Sequence, residues 1–440
     1  MTSRSLTARH SVIAALAVSA SAAAMGGAGL GSAPAANATC VSIFGIGNGG
    51  GCTSSMLSAA IAIGDGATAT ADGIFGAAIA LGTNALAATG DAFTFATALG
   101  DATAASAGGV FGIAAQVGSN GSATTLGSGT FGNLGLNIAL NVALFSPATT
   151  TVTAAGIGNL AANLFGRATT AGSHEVTSQG TLDFALNVGG NDNTVVSGAG
   201  LFNRSLNFFG NGNTVRGEGG LSNVARNFLG NGNITTTDTG NGNSATNFFG
   251  SDNSVIATSG AGNIATSLLG NTNTVTVTGG TLDSARNWLG SNNTVQSLGG
   301  LQNSVFNIAG AGNQLTATGS NSNNGLNIFG NTNVVQAGSL GANGNLALTF
   351  GGAGNTVTGG ASSGNNTWAF GVLGAGNTVS AGPGPIALAG SIFQNSQTVT
   401  KVGPGIAINN FRIGGAAAVP TGRAAATSER KSTSARATAK

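Results

Sequence analysis

Tyrosine is absent from this chain, proline occurs six times, cysteine and histidine twice each, and only 6% of its 440 residues carry charge. Ordinary soluble domains carry roughly 25% charge, so the surface is not that of an average enzyme. The 12 acidic and 14 basic groups nearly cancel, and no basic stretch is interleaved with aromatics, so no nucleic-acid partner is expected. Disorder along the whole length is excluded as well, because 41% of the residues are hydrophobic. No apolar stretch reaches the ~20 residues that a membrane-spanning helix needs, so no transmembrane segment is expected. What the chain has in quantity is glycine, 77 residues, together with small aliphatics, asparagine and 21 phenylalanines.

The two ends carry their own signals. Arg4 and Arg9 precede an apolar stretch from Ser11 to Met25, and Ala36-Asn37-Ala38 offers small residues at the spacing a signal peptidase uses. Residues 1–38 are therefore expected to be a cleaved secretory signal, leaving a protein that is secreted or held on the cell surface. Cys40 and Cys52 are the only cysteines, and in an oxidising compartment they predict a disulfide closing an N-terminal cap over residues 39–56. At the other end, residues 411–440 hold six basic groups against Glu429, in a small and polar sequence expected to be a disordered tail. Such a tail either touches anionic envelope polymers or lipids, or merely solubilises the chain.

Between the ends the sequence repeats. Gly64, Gly82, Gly100 and Gly118 stand 18 residues apart, and Phe75, Phe93 and Phe111 keep the same step. This first repeat spans 57–118, and an irregular transition follows over 119–180. From residue 181 the step becomes 20, as in LFNRSLNFFGNGNTVRGEGG (201–220) and LSNVARNFLGNGNITTTDTG (221–240), stretching to 22 in two later units before 410. Counting places within the unit, Asn recurs at the seventh (Asn187, Asn207, Asn227, Asn247, Asn287, Asn307, Asn327). It also recurs at the thirteenth (Asn193, Asn213, Asn233, Asn253, Asn273, Asn293, Asn313, Asn333) and at the third, where Asp183 and Asp283 substitute. Glycine closes each first half at the tenth place.

Units this short cannot bury an apolar face alone, but a stack of them can. The chain is therefore expected to be all-β: a parallel β-solenoid of 18-residue and then 20- to 22-residue coils. Roughly 18 coils at ~4.8 Å each make a rod on the order of 85 Å long. The third, fifth and seventh places share one strand face, and the small residues at the fifth (Ala225, Ala245, Ala265) put that face inside. The thirteenth place shares its face with a valine-rich fifteenth. Buried Asn side chains need partners, which predicts amide ladders running from coil to coil. The eighth and ninth places are both large and apolar, with Phe208, Phe228, Phe248, Leu268 and Trp288 at the eighth. The expectation is a corner at which both residues pack inside; a straight segment would instead leave one column as an exposed stripe, available for self-association or lipid contact.

These Ala-, Gly- and Asn-rich repeats behind a long leader are similar in flavour to mycobacterial exported repeat proteins. They resemble the repeat regions of the PE and PPE families, without the Pro-Glu and Pro-Pro-Glu heads of those families. Within residues 60–118, AIAIGDGATATADGIFG (60–76) resembles the head repeats of trimeric autotransporter adhesins. Both resemblances imply a surface or extracellular role.

No residue pattern demands chemistry. His174 lies in AGSHEVTSQG, expected to be a loop, and its neighbour Glu175 would point to the opposite face of a strand. Asp192 and Asp252 share the twelfth place three coils apart, about 14 Å, beyond the ~9.5 Å over which paired carboxylates act on a glycosidic bond. Asp65 and Asp101 stand two coils apart with Thr83 between them. GNGNTV (210–215) has Asn where a calcium-binding β-roll needs Asp. Ice binding would need TxT rows over many coils, and NTVTVTG (273–279) stands alone. GxGxxG-like matches are background in so glycine-rich a chain, so no cofactor or metal is expected. The expected function is that of an exported, non-enzymatic, structural or adhesin-like repeat protein of the surface or envelope, in contact with envelope polymer, lipid or a host surface. The alternative is a β-helix that binds or cleaves polysaccharide.

Overall fold

A computed structural model describes residues 39–127 and 135–414 of the chain. The expected signal (1–38) and the tail beyond Gly414 lie outside the described residues. Short strands follow one another without a single α-helix among these residues, and apart from those at the two ends each pairs in parallel with its counterpart one coil later. Two sheets result. One contains Phe184–Val188, Arg204–Phe208 and Val224–Leu229; the other contains Thr194–Gly198, Thr214–Glu218 and Ile234–Asp238. Register is strict: Asn187 faces Asn207, which faces Asn227, and Val195 faces Val215. The chain is thus the expected parallel β-solenoid, with about 17 turns where spacing suggested roughly 18.

The same two sheets continue through the 18-residue coils and through 119–180, where longer connections separate register partners such as Ile113 and Ile138. Antiparallel strands close both ends. Thr39–Ile43 pairs with Ala59–Ile63, and the Cys40–Cys52 disulfide ties it down over the first coil. At the other end Phe411–Ile413, grouped with the tail by composition, folds back on Gly405–Ile408. Such caps cover sheet edges that would otherwise offer free N–H and C=O groups.

Between the sheets there is room for little. The fully buried aliphatics are Ala and Val, with Leu315 the largest, and no phenylalanine is among them. Alternation explains this: with the fifth and seventh places inward, the eighth must point out. The expected corner packing of the eighth and ninth places is therefore not formed. Phe208, Phe228, Phe248 and Leu268 are half-buried on the outside, Trp288 is exposed, and so are Phe209, Leu229, Phe249, Leu269 and Leu289 beside them. The outer rings stack coil on coil instead, with centroids 5.4 Å apart for Phe208–Phe228 and 4.9 Å for Phe228–Phe248. Phe75, Phe93 and Phe111 form a second stack at 5.2 and 5.1 Å.

The tenth-place glycines are fixed by the stack itself. Gly230 has φ +126°, and a Cβ there would lie 1.8 Å from the carbonyl oxygen of Gly250 in the next coil. Gly212 has φ +63° and open space around the same position. Gly230→Ala is expected to destabilise the fold by at least about 2–3 kcal/mol, through strain and the backbone clash together. Gly212→Ala should lose only about 1 kcal/mol, for the left-handed conformation alone. Denaturant unfolding of the two variants checks this, and equal losses would contradict it.

Candidate functional site

Every inward polar place of the repeat forms a column along the rod, and the columns bond in different ways. At the seventh place the amides bond to one another. Asn163 Nδ2 donates to Asn141 Oδ1 (2.8 Å), and Asn187 to Asn163 (2.9 Å). Asn207 donates to Asn187 (2.7 Å), Asn227 to Asn207 (2.8 Å) and Asn247 to Asn227 (2.8 Å). All these residues are buried, and every bond points toward the N-terminal end of the stack. Ser267 then interrupts the ladder: its hydroxyl and Asn287 Nδ2 are both buried without a hydrogen-bond partner. A second run follows, in which Asn307 donates to Asn287 and Asn327 to Asn307, both at 2.7 Å, and Thr349 Oγ1 to Asn327 at 2.5 Å.

At the thirteenth place the expected amide-to-amide ladder is replaced by a ladder from backbone to side chain. Asn213 N–H donates to Asn193 Oδ1 (2.9 Å), and the pattern repeats through Asn233, Asn253, Asn273, Asn293, Asn313 and Asn333. The amide nitrogens turn instead to the tenth-place carbonyls, as from Asn193 to Gly210 (2.8 Å) and from Asn233 to Gly250 (2.8 Å). The physical reason is position: the thirteenth residue stands just before its strand, so its N–H is free of the sheet and must find an acceptor. The third place does the same, for instance Asn223 N–H to Asn203 Oδ1 at 2.9 Å. A fourth, exposed column at the eleventh place escaped the sequence reading: Asn191 N–H donates to Asn211 Oδ1 and Asn211 N–H to Asn231 Oδ1, both 2.8 Å. Its signal was present in the recurrence of Asn or Ser at 191, 211, 231, 251, 271 and 291.

Two acids sit in the third-place column. Asp183 and Asp283 each accept one backbone N–H at 2.7 Å, from Asn203 and Asn303, while the other carboxylate oxygen is buried without a partner. That oxygen occupies the place from which an Asn amide donates to glycine carbonyls, so only a protonated acid can serve there. Burial accordingly raises both pKa values to about 6, against the backbone hydrogen bonds that favour the charged form.

His174, expected on a loop, is instead fully buried at the start of the strand His174–Thr181. It heads the thirteenth-place column: Nδ1 accepts from Asn193 N–H (3.1 Å), which leaves Nε2–H to donate to Asn163 Oδ1 (3.0 Å). Burial pushes its pKa down to about 4 against the nearby Asp192 carboxylate, so it is a neutral structural link. Ser173, the nearest hydroxyl in sequence, donates to Asp192 and not to the imidazole. Asp192 also accepts from Thr169, and Asp252 stands three coils along the outer turn. At the last coil Lys401 is buried among small residues, its ammonium donating to the Val402 carbonyl at 3.0 Å. Among the described residues no three His, Cys, Asp or Glu side chains gather as a metal site would need.

The outer faces differ sharply. On the sheet from Ala59–Ile63 to Gly405–Ile408, outward residues are mostly apolar: Ile61, Ile63, Leu140, Phe184, Leu186, Phe208, Leu326, Leu348, Trp368 and Phe370 among them. On the opposite sheet, hydroxyls dominate, as in the column Thr194, Thr214, Ser254, Thr274, Thr294, Thr356, Thr378 and Thr398, interrupted by Ile234, Gln314 and Val334.

Filling the interrupted rung should stabilise the stack: Ser267→Asn is expected to add about 1–2 kcal/mol by giving Asn287 Nδ2 the acceptor it lacks and Asn247 Oδ1 a second donor beside Asn253 Nδ2. A variant no more stable than its parent in denaturant unfolding would contradict the ladder. For the acids the sign follows from a folded pKa of about 6 above the ordinary 3.8: their stabilisation is full at low pH and is lost as pH rises through about 6. Asp283→Asn should therefore gain on the order of 1–3 kcal/mol over its parent at neutral pH and nothing near pH 3.5. A pH-independent difference would show that the carboxyl is not protonated in the fold.

No protein-family model, no curated protein and no solved structure matches this chain.

Proposed function

We propose that the protein is a non-enzymatic structural rod of the cell exterior, exported by its leader and working by the surfaces it displays. The observation that supports this most is the division of the solenoid into one mostly apolar and one hydroxyl-rich outer face. Most of its buried asparagines are engaged in joining one coil to the next. An envelope-associated or host-facing role, adhesin-like in kind, fits a repetitive surface with so little charge.

A polysaccharide-binding role draws support from one feature, the rows of Thr and Ser on the polar sheet, which offer hydroxyls at the ~4.8 Å coil spacing. Incubation of the chain with polysaccharides and a reducing-end assay separates binding from cleavage. The expected result is no release of saccharide, with Asp192→Ala and Asp252→Ala indistinguishable from the parent. Release abolished by either substitution would make the protein a hydrolase or lyase.

A further inference from the structure

The apolar sheet face has no partner within the chain. Its outward residues include no acid and no lysine, and three arginines lie on it: Arg204, Arg226 and Arg286. The ion pair Arg216–Glu218, at 3.3 Å, is on the opposite sheet. Both tryptophans of the chain stand on the apolar face, Trp288 44% and Trp368 53% exposed. At ~4.8 Å per coil and ~13 Å across a five-residue strand, the whole face covers about 1,000 Å², of which the apolar part is most continuous before Ser244 and after Asn324, with Ser244, Thr266, Ser284 and Ser304 between. Soluble monomers rarely expose contiguous apolar patches beyond about 300–600 Å².

Two occupants fit a flat apolar face of this size, a second copy and a lipid surface. The arginines decide between them. Arg226 and Arg286 lie on the middle column of the face, and a second copy laid against it would bury them with no acid on either side. Uncompensated buried charges disfavour that pairing strongly. An anionic bilayer supplies both needs at once: acyl chains meet the aliphatic side chains, and phosphates meet the guanidinium groups at the ends of their apolar stems. Tryptophan, with an apolar ring and a polar N–H, suits the same boundary. A recess beside Phe184 is lined by Arg204 and Arg226 together with Leu182 and Asp183.

We propose that this face docks the rod flat on an anionic lipid bilayer, with the threonine-rich sheet turned to water. The proposal rests on the reading of the protein as an exterior rod and names the surface that the rod would meet. The two tryptophans report on the face directly, whatever the leader or the basic tail does. The full chain is titrated with vesicles of phosphatidylcholine alone or mixed with phosphatidylglycerol, and tryptophan emission is followed, with acyl-brominated lipid as quencher. Emission should shift to the blue and be quenched on the phosphatidylglycerol vesicles, and weakly or not at all on phosphatidylcholine. Replacing Arg204, Arg226 and Arg286 together by Gln should weaken that response roughly tenfold or more while leaving the melting curve intact. Trp368→Phe should retain the response through Trp288. Binding to vesicles with unchanged emission would place the contact elsewhere and overturn the proposal, as would no binding at all. Blue emission with a doubled mass before lipid is added would assign the face to a second copy. None of these outcomes bears on saccharide release, so failure here stays separable from failure of the broader function.

Discussion

Each coil of this protein lies directly on the one before, so whatever a residue offers must be satisfied by its own counterpart about 4.8 Å away. That translational constraint selects the residues. A buried charge would meet a like charge in every coil, whereas an amide both donates and accepts and can bond to its own image without limit. Asparagine is short enough to fit between the sheets and carries both functions. The seventh-place ladder from Asn141 to Asn247 is the direct result.

The same constraint keeps most of the interior to small side chains. Two sheets close enough to share Ala and Val bury no phenylalanine among the described residues, and its rings are displaced to the outside, where they stack at the coil spacing. Hydrophobic surface that a globular domain would bury is thereby displayed, and the protein becomes two-faced. Cohesion comes from many small contacts and from amide bonds, each modest in net worth but costly to leave unmade. The acids at 183 and 283 are tolerated because they imitate an amide once protonated, and His174 because it stays neutral; the two kinds of group respond to pH in opposite directions.

Much of this was legible in the sequence because period and face are arithmetic. The 18- and 20-residue steps, the small fifth place and the valine-rich fifteenth identified a stacked parallel fold and placed Asn inside it. The bonding of the thirteenth-place Asn was not legible, since it depends on which backbone N–H groups the sheet leaves free at a corner. The eighth and ninth places misled for a related reason: apolar character suggested burial, but alternation from the inward Asn at the seventh turns the eighth outward, and at the ninth the strand ends and the chain leaves the core. His174 sits in a stretch without repeat, where only the three-dimensional register shows that it heads a column of asparagines. The eighth-place column was visible in the sequence as the alternative, an exposed stripe, but the fourth and sixth places that widen it into a face were hidden, because their residues vary from coil to coil and only their common outward place unites them.

The most direct test of the ladder is hydrogen exchange of asparagine side-chain amides, followed by NMR on a chain labelled with 15N at asparagine. Buried amides bonded from coil to coil, such as those of Asn207, Asn227 and Asn247, should exchange far more slowly than the exposed amides of Asn211 and Asn231 on the outer turn. Uniformly fast exchange of all side-chain amides, in a chain whose backbone amides are protected, would mean that the coils are held together by something other than their asparagines.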